Sequence, residues 1–105
     1  MNKNKFYIFV ADWCPYCRQV KPVIFDLVEK YYDNGNIVLI EDTSEEYKEF
    51  GTKLNATAFP AFIIANENLE EVARFEGNRT FEDILNFYAS NTDTPIANGE
   101  SVTSS

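Results

Sequence analysis

The stretch that most constrains the fold is "FYIFVADWCPYC", residues 6–17. An apolar run of strand length, residues 6–11, ends just before two cysteines that are separated by two residues. Pro15 follows the first cysteine, and proline suits the first position of a helix because no N–H is needed there. The pattern predicts a strand buried on both faces and a helix that begins at the cysteine pair.

The residues that follow predict a helix and a second strand. The helix has an apolar stripe made of Cys17, Val20, Ile24, Leu27, Val28 and Tyr31, and Asn34 and Gly35 end it. The segment "NIVLIE", residues 36–41, is typical of another strand buried on both faces. Strand, helix and strand in this order imply two parallel strands joined by a right-handed crossover.

The middle of the chain predicts a second helix and a hairpin. Thr43 and Glu46 match a capping box, and they precede an apolar face formed by Tyr47, Phe50 and Leu54. Residues 61–65 and 69–76 have the composition of two strands joined by a tight turn, which indicates an antiparallel hairpin.

A last helix completes the predicted fold. Gly77 ends the hairpin and Thr80 is placed to cap a helix whose apolar stripe is Phe81, Ile84, Leu85 and Tyr88. The order β-α-β-α-β-β-α predicts an α/β fold with a four-stranded mixed sheet flanked by helices.

The composition favours one small domain with a short tail. The chain has 105 residues, of which 45% are hydrophobic, and this suits one core. Residues 1–91 form the predicted domain. Residues 92–105, "TDTPIANGESVTSS", lack periodicity and are rich in small polar residues, so we expect a disordered tail.

The charge of the chain limits its partners and its location. A formal net charge of -8 argues against nucleic acid or an anionic membrane as the main partner.

No segment approaches the roughly 18 apolar residues of a membrane span. The apolar run after the N-terminal lysines is short and lacks a small-residue cleavage site, so we do not interpret it as a signal peptide. We therefore expect a cytoplasmic, reducing location, where a close cysteine pair is usually catalytic or metal-binding.

The two cysteines are predicted to have different environments. Cys14 is predicted to be exposed at the N-terminus of the helix, where unpaired N–H groups and the helix dipole favour a thiolate. Cys17 continues the buried stripe. We expect Cys14 to attack a substrate disulfide and Cys17 to resolve the resulting intermediate.

Three other interpretations of the cysteine pair compete with redox activity. A zinc site normally needs four ligands, and the chain has no histidine and no third cysteine, so no metal is expected. A structural disulfide that closes so short a loop constrains the unfolded chain little. In the third interpretation, the pair is the remnant of an activity that a protein of this fold has lost. Redox activity is the favoured interpretation.

The sequence around the cysteines resembles the thioredoxin superfamily. "WCPYC", residues 13–17, combines the Cys-Pro-Tyr-Cys of glutaredoxins with the preceding tryptophan of thioredoxins, and "AFPAF", residues 58–62, resembles the segment that carries the family's cis-proline. Pro22 is similar to the thioredoxin kink proline. The resemblance implies that six residues contact the substrate: Trp13, Pro15, Tyr16, Phe59, Pro60 and Gly77.

Each of the residues that carry the resemblance also has an ordinary structural interpretation. Trp13 is otherwise a half-buried aromatic residue, Pro60 a trans proline at the start of a strand, and Gly77 simply the end of a strand. Tyr16 either lies on the surface or covers the disulfide. Arg18 and Lys21 are more simply explained as solvated helix charges than as groups that stabilise the thiolate.

The sequence also departs from the family pattern. Ile8 stands where thioredoxins have a buried Asp, and Val38 aligns with the lysine that partners it. The chain begins directly at the strand that carries the motif, as glutaredoxins do. The Gly-Gly and Asp of the glutaredoxin glutathione site are replaced by "EGNRTFED", residues 76–83. We therefore expect a more oxidising couple than that of a Cys-Gly-Pro-Cys thioredoxin, and glutathione binding is not indicated.

The expected function is thiol–disulfide oxidoreductase activity. The enzyme would reduce disulfide-containing protein substrates as a monomer, without a bound cofactor and with electrons from a reductase or from glutathione. One rival is a non-catalytic binding or scaffold subunit with a thioredoxin fold. The other is an exported thiol oxidase or isomerase, for which the sequons at residues 55–57 and 78–80 give little support.

Overall fold

Strand β1 (Lys5–Val10) lies inside a four-stranded mixed sheet in the computed structural model, which describes residues 3–92. The strand order is β2-β1-β3-β4, with β2 at Ile37–Glu41, β3 at Ala61–Ala65 and β4 at Glu71–Arg74. β1 pairs with β2 in parallel, whereas β1–β3 and β3–β4 are antiparallel. The predicted mixed sheet and its hairpin are confirmed.

Helices cover both faces of this sheet, as predicted. Helices α1 (Pro15–Tyr31) and α2 (Phe81–Asn91) pack on one face. A short middle helix, residues 45–53, contains a π-helical turn at Tyr47–Gly51 and packs on the other face. Helix α1 positions the cysteine pair, because Cys14 is its N-cap residue and Cys17 lies in its first turn.

The continuous apolar run of β1 is explained by burial on both faces. Side chains alternate along a strand, so Phe6, Ile8 and Val10 face α1 and α2, whereas Tyr7 and Phe9 face the middle helix. All five of these side chains are buried. β1 is thus the strand that the sequence predicted to be covered on both sides, and it delivers the cysteine motif from the centre of the fold.

The prediction that β2 is also buried on both faces holds for Ile37 and Ile40, which are buried on opposite faces, but fails for Val38 and Leu39. β2 is an edge strand, its Val38 is only partly buried and its Leu39 is 39% exposed. An apolar sequence does not by itself predict how buried a strand is, because it does not specify whether the strand has a neighbouring strand on one side or on both sides. The edge position of β2 leaves an apolar strand partly open to solvent.

The helix ends agree with the sequence in two places and differ in one. Thr80 caps α2 by accepting a hydrogen bond from the Asp83 N–H at 3.1 Å. Gly35, in the left-handed region at φ 76°, closes the turn that follows α1. The predicted capping box at Thr43 is off by one residue, since the hydroxyl of Ser44 accepts the hydrogen bond from the Tyr47 N–H.

The first residue of the predicted tail packs against the rest of the chain. Thr92, which was predicted to begin the tail, is buried, and its hydroxyl donates to the Tyr88 carbonyl at 2.7 Å. The remainder of the predicted tail, residues 93–105, lies outside the described residues. Within residues 3–92, no helix combines the length and the apolar character that a membrane span requires.

Candidate active site

The cysteine pair lies where β1 ends and α1 begins. Cys14 is the N-cap residue of α1, Pro15 occupies the first helical turn, and the Cys14 carbonyl accepts a hydrogen bond from the Arg18 N–H at 3.2 Å. Cys17 lies one turn into the helix and faces the core. Both cysteines are free thiols. The strand–helix junction predicted from the sequence thus brings the two thiols together at one helix N-terminus.

Cys14 is less exposed than the sequence predicted. Its side chain is 5% exposed, and that of Cys17 is fully buried. The covering group comes from a distant part of the chain, since the Cys14 Sγ–H donates to the Phe59 carbonyl oxygen at 3.3 Å. Cys14 therefore retains only a small opening to solvent, which Cys17 lacks.

The surroundings of Cys14 favour its thiolate. Burial by itself would raise the pKa of the Cys14 thiol. Hydrogen bonds from the backbone N–H groups of Cys17 and Tyr16, the hydrogen bond with the Cys17 side chain and the positive charge of Arg79 oppose burial, and the pKa is lowered overall. These N–H groups are the unpaired donors of the first helical turn, so the helix N-terminus supplies most of the stabilisation.

The surroundings of Cys17 act in the opposite direction. Burial raises the pKa of the Cys17 thiol, and the side chain and charge of Cys14 raise it further. The Ala11 N–H, which donates to the Cys17 Sγ at 3.4 Å, and the charge of Arg79 lower it only in part. One thiol of the pair is thus favoured as an anion while its neighbour is kept protonated.

Arg79 is the residue of this site that the sequence interpretation missed. It lies on the connection between β4 and α2, its charge lowers the pKa of both thiols, and its guanidinium carbon lies 5.8 Å from the centre of the Tyr16 ring. Its segment, residues 76–83, lacks the glutathione-site pattern of glutaredoxins but carries this cation. A basic residue just before the last helix was the available signal.

Trp13 is held beside the cysteines by two contacts. Its Nε1–H donates to the Asp42 Oδ2 at 2.7 Å, and its ring meets the Phe59 ring edge-to-face with centroids 5.8 Å apart. The indole is nevertheless 65% exposed. Trp13 therefore forms an oriented aromatic surface next to the small opening at Cys14.

The other predicted substrate-contacting residues are distributed around this surface. The Phe59–Pro60 peptide bond is cis, as the resemblance implied, with Phe59 half-buried and Pro60 buried. Pro15 and Tyr16 are exposed at the start of α1, so Tyr16 lies on the surface and its ring packs under Arg79. Gly77 is exposed on the connection that carries Arg79, and no contact described for residues 3–92 joins it to a cysteine.

The basic residues of α1 have separate roles. Lys21 forms an ion pair with Asp12 at 2.8 Å, and this contact raises the pKa of Lys21 and lowers that of Asp12. Arg18 is exposed. Arg18 thus fits the interpretation as a solvated helix charge. Lys21 does not, because it is half-buried and the charge of Cys17 contributes to the rise in its pKa.

Comparison with known proteins agrees with this geometry. The sequence model of the thioredoxin family matches residues 2–90. The chain belongs to the thioredoxin family. This thioredoxin domain is 29% identical over 103 residues to a protein disulfide-isomerase of Drosophila melanogaster, covering 96% of this chain and 20% of that protein. It is 33% identical over 89 residues to a protein disulfide-isomerase of Gallus gallus, covering 85% of this chain and 17% of that protein.

A solved structure shows the same fold at lower identity. The first thioredoxin domain of mouse protein disulfide-isomerase A4 superposes with a TM-score of 0.67 at 19% identity, covering 98% of this chain and 74% of the other. The chain spans about a fifth of the length of the curated relatives it matches. The family and the cysteine pair together support thiol–disulfide oxidoreductase chemistry at the level of the family.

Position 8 is apolar and buried in the structure, but the residue that lies across from it on β2 is not Val38 as expected. Ile8 is fully buried in the cluster that contains both cysteines. Leu39, not Val38, pairs with Ile8 in the register of β1 and β2, whereas Val38 packs on the opposite face of the sheet. The position that could place a cation beside residue 8 is therefore Leu39. Both positions are apolar, so this thioredoxin domain has no buried acid–lysine pair there.

The described residues offer little to a metal ion. No group of three or more Cys, Asp or Glu side chains within residues 3–92 is arranged as a metal site.

Proposed function

We propose that this domain reduces disulfides in protein substrates by dithiol exchange, with Cys14 as the nucleophile and Cys17 as the resolving thiol. The observation that carries the proposal is the placement of two free thiols within one helical turn, with Cys14 at the N-terminus of α1 and Cys17 fully buried behind it. In these surroundings the pKa of Cys14 is lowered and that of Cys17 is raised. A thiolate is the attacking species in exchange, and a protonated neighbour is held back until the first step is complete.

The proposed reaction has two steps. The Cys14 thiolate attacks one sulfur of the substrate disulfide, forms a mixed disulfide and expels the other sulfur as a thiolate, which takes a proton from solvent. Cys17 then loses its proton to water and attacks the Cys14 Sγ. The Cys14–Cys17 disulfide forms, the second substrate thiolate leaves, and the substrate has gained the two electrons that the cysteine pair has lost.

The surface around Cys14 suggests how a substrate is held. Trp13, Pro15 and Tyr16 are exposed beside the opening, and the Phe59 backbone lies against the Cys14 sulfur. An extended substrate segment would pair with that backbone in the manner of an added strand. The proposed substrates are therefore extended, disulfide-containing polypeptides rather than compact small molecules.

The proposal includes a setting for this reaction. The domain acts as a monomer in the cytoplasm without a bound cofactor, and a reductase or glutathione returns electrons to the Cys14–Cys17 disulfide. Ile8 supplies no charge against the Cys14 thiolate, and this supports a couple more oxidising than that of a Cys-Gly-Pro-Cys thioredoxin.

An insulin-reduction assay with cysteine variants tests the proposal. Cys14→Ser is expected to abolish activity, whereas Cys17→Ser is expected to accumulate a mixed disulfide on Cys14 that mass spectrometry identifies. Ser90→Ala, at an exposed position of α2, serves as a control away from the thiols. A Cys14→Ser variant with full activity would contradict the assigned roles.

A second candidate is disulfide formation or isomerisation. It is favoured by the relatives, which are named protein disulfide-isomerases. Titration against glutathione separates the two directions, since a potential at or below the thioredoxin value of about -270 mV removes support for an oxidising couple. A wild-type protein that is inactive in reduction and in refolding of scrambled ribonuclease, yet binds a stable partner, would favour the scaffold interpretation.

A further inference from the structure

The two edges of the sheet are protected very differently. The outer strand β4 carries charges, with an Arg74–Glu71 ion pair at 2.8 Å, and its pairing with β3 contains a register irregularity. Charges and bulges are the usual devices that prevent another strand from adding to an edge. The opposite edge strand, β2, has neither device along "IVLI", residues 37–40, and no proline there.

Within residues 3–92, the outer side of β2 presents backbone groups that no strand pairs with. The Phe6 N–H donates to the Asn36 carbonyl and the Asp42 N–H donates to the Val10 carbonyl, which fixes the pattern of the parallel ladder with β1. Backbone groups alternate in direction along a strand. The N–H and C=O groups of Ile37 and Leu39 and the N–H of Glu41 therefore point away from β1, where residues 3–92 place no strand.

An apolar groove of about 500 Å³ follows this edge. It is lined by Ile37, Leu39 and Ile40 of β2 and by Val28 and Tyr32 from the end of α1 and the turn that follows it. Leu39 is 39% exposed and Tyr32 is 62% exposed. The edge thus combines hydrogen-bonding groups with apolar contacts, the two components that a bound extended peptide requires.

The charge at this groove is negative. Glu46 is the charged residue in the groove lining, and Glu41 is exposed at the end of β2. Lys48 pairs with Glu45, and Lys30 lies over the Phe81 ring. Lys21 interacts with the charge of Glu41, but its direct partner is Asp12 at 2.8 Å. A second copy of this acidic chain would bring like charges together, whereas a basic segment would find complementary ones.

We propose that the free edge of β2 is a docking site for an extended, basic segment of a partner polypeptide, which adds to the sheet as a fifth strand. Its apolar side chains enter the groove, and its lysine or arginine residues lie near Glu41 and Glu46. The site is distinct from the cysteine pair and goes beyond the proposed exchange reaction. It does not depend on the oxidation state of the thiols.

A peptide titration tests this docking site on the full reduced chain. The probe is a decapeptide with a core of alternating Val and Thr residues and two lysines at each end; the control has glutamates in place of the lysines. The basic peptide is expected to slow amide hydrogen exchange at Ile37, Leu39 and Glu41. The acidic peptide should bind at least about tenfold more weakly, and added salt should reduce the difference.

Two matched variants identify the edge. Leu39→Lys places a charge in the middle of β2 and is expected to abolish the protection. Val72→Lys makes the same change at an exposed apolar position of β4, 48% exposed, and should leave binding unchanged. Val72→Lys should reduce insulin as the wild type does. For Leu39→Lys the control is the urea unfolding midpoint, which shows that the variant is folded, because Leu39 pairs with Ile8 in the register of β1 and β2. A basic peptide methylated at the backbone nitrogens of one edge keeps its side chains but loses donors, so it should bind weakly.

Several results would overturn the proposal. One is the absence of β2 protection at about 1 mM basic peptide, and another is equal binding of the two peptides. Protection that rises with protein concentration in the absence of peptide would assign the edge to a second copy of the chain. Protection of the free monomer that is lost on removal of residues 93–105 would assign it to that segment. None of these results would affect insulin reduction by the wild type, so the proposed exchange reaction is tested independently of the docking site.

Discussion

The Cys14 Sγ–H donates a hydrogen bond to the Phe59 carbonyl oxygen at 3.3 Å, although 45 residues separate the two. This contact exists only while the thiol keeps its proton. When Cys14 ionises, the carbonyl loses its donor, and the sulfur is stabilised by the N–H groups of Tyr16 and Cys17. Formation of the nucleophile thus frees a backbone acceptor beside it, at the place where an extended substrate would lie.

Arg79 is expected to tune both thiols. Arg79→Gln removes a charge that lowers the pKa of Cys14 and of Cys17, so both pKa values should rise. The rate of Cys14 alkylation at neutral pH should fall by about two- to fivefold. Arg79→Lys, which keeps the charge, is the matched control and should lie closer to the wild type. Equal rates for the wild type and Arg79→Gln would show that the guanidinium does not act on the thiols.

The Trp13–Asp42 hydrogen bond is expected to affect protein substrates more than small ones. Asp42→Ala frees the indole from its 2.7 Å contact, so KM for insulin should rise by about two- to fivefold because an oriented surface is lost. Reduction of a small aromatic disulfide should change little. Glu45→Ala is the control, since this nearby acid contacts Lys48 instead. The chain has one tryptophan, so its fluorescence reports the released indole directly. If Asp42→Ala slowed reduction of the small disulfide more than reduction of insulin, this role would be contradicted.

Ile8 is expected to set the potential of the couple. Ile8→Asp places an ionisable group in the buried cluster that holds both cysteines. An ionised carboxylate there opposes the Cys14 thiolate, raises its pKa and destabilises the reduced form, so the couple should become more reducing by at least about 30 mV. The buried carboxyl should also cost about 2–4 kcal/mol of unfolding free energy. Redox titration and urea unfolding measure the two effects.

Ile8→Asn is the matched control for that experiment. It has a similar shape and a similar cost of burial but carries no charge, so it should lower stability without the same change in potential. If both variants shift the potential equally, charge is not the cause. The comparison separates the electrostatic account of the missing acid from simple disruption of packing.

The sequence predicted the elements of the fold well because their patterns are local. The apolar run at residues 6–11 and the helical stripe that includes Cys17 and Ile24 depend on residues only a few positions apart. The structure confirms both, together with the Thr80 cap and the hairpin of β3 and β4. The family resemblance then completed the inference from the elements to the fold.

The errors concern relationships between distant residues. Burial of Cys14 depends on Phe59, and the exposure of Leu39 depends on the order of the strands, which an apolar run does not specify. The influence of Arg79 on the thiols arises because the connection before α2 returns to the start of α1. The position across from Ile8 was misplaced at Val38 because one residue of register changes the face of a strand.

The division of roles between the two thiols is tested most directly by their alkylation as a function of pH. The reduced protein is treated briefly with iodoacetamide at a series of pH values, and mass spectrometry measures the modification of each cysteine. A lowered pKa means that the thiolate forms at lower pH, so Cys14 should react first, with a midpoint below that of an ordinary cysteine, while Cys17 remains protonated above that range. Reaction of Cys17 before Cys14, or of both thiols together at the ordinary cysteine midpoint, would contradict the account.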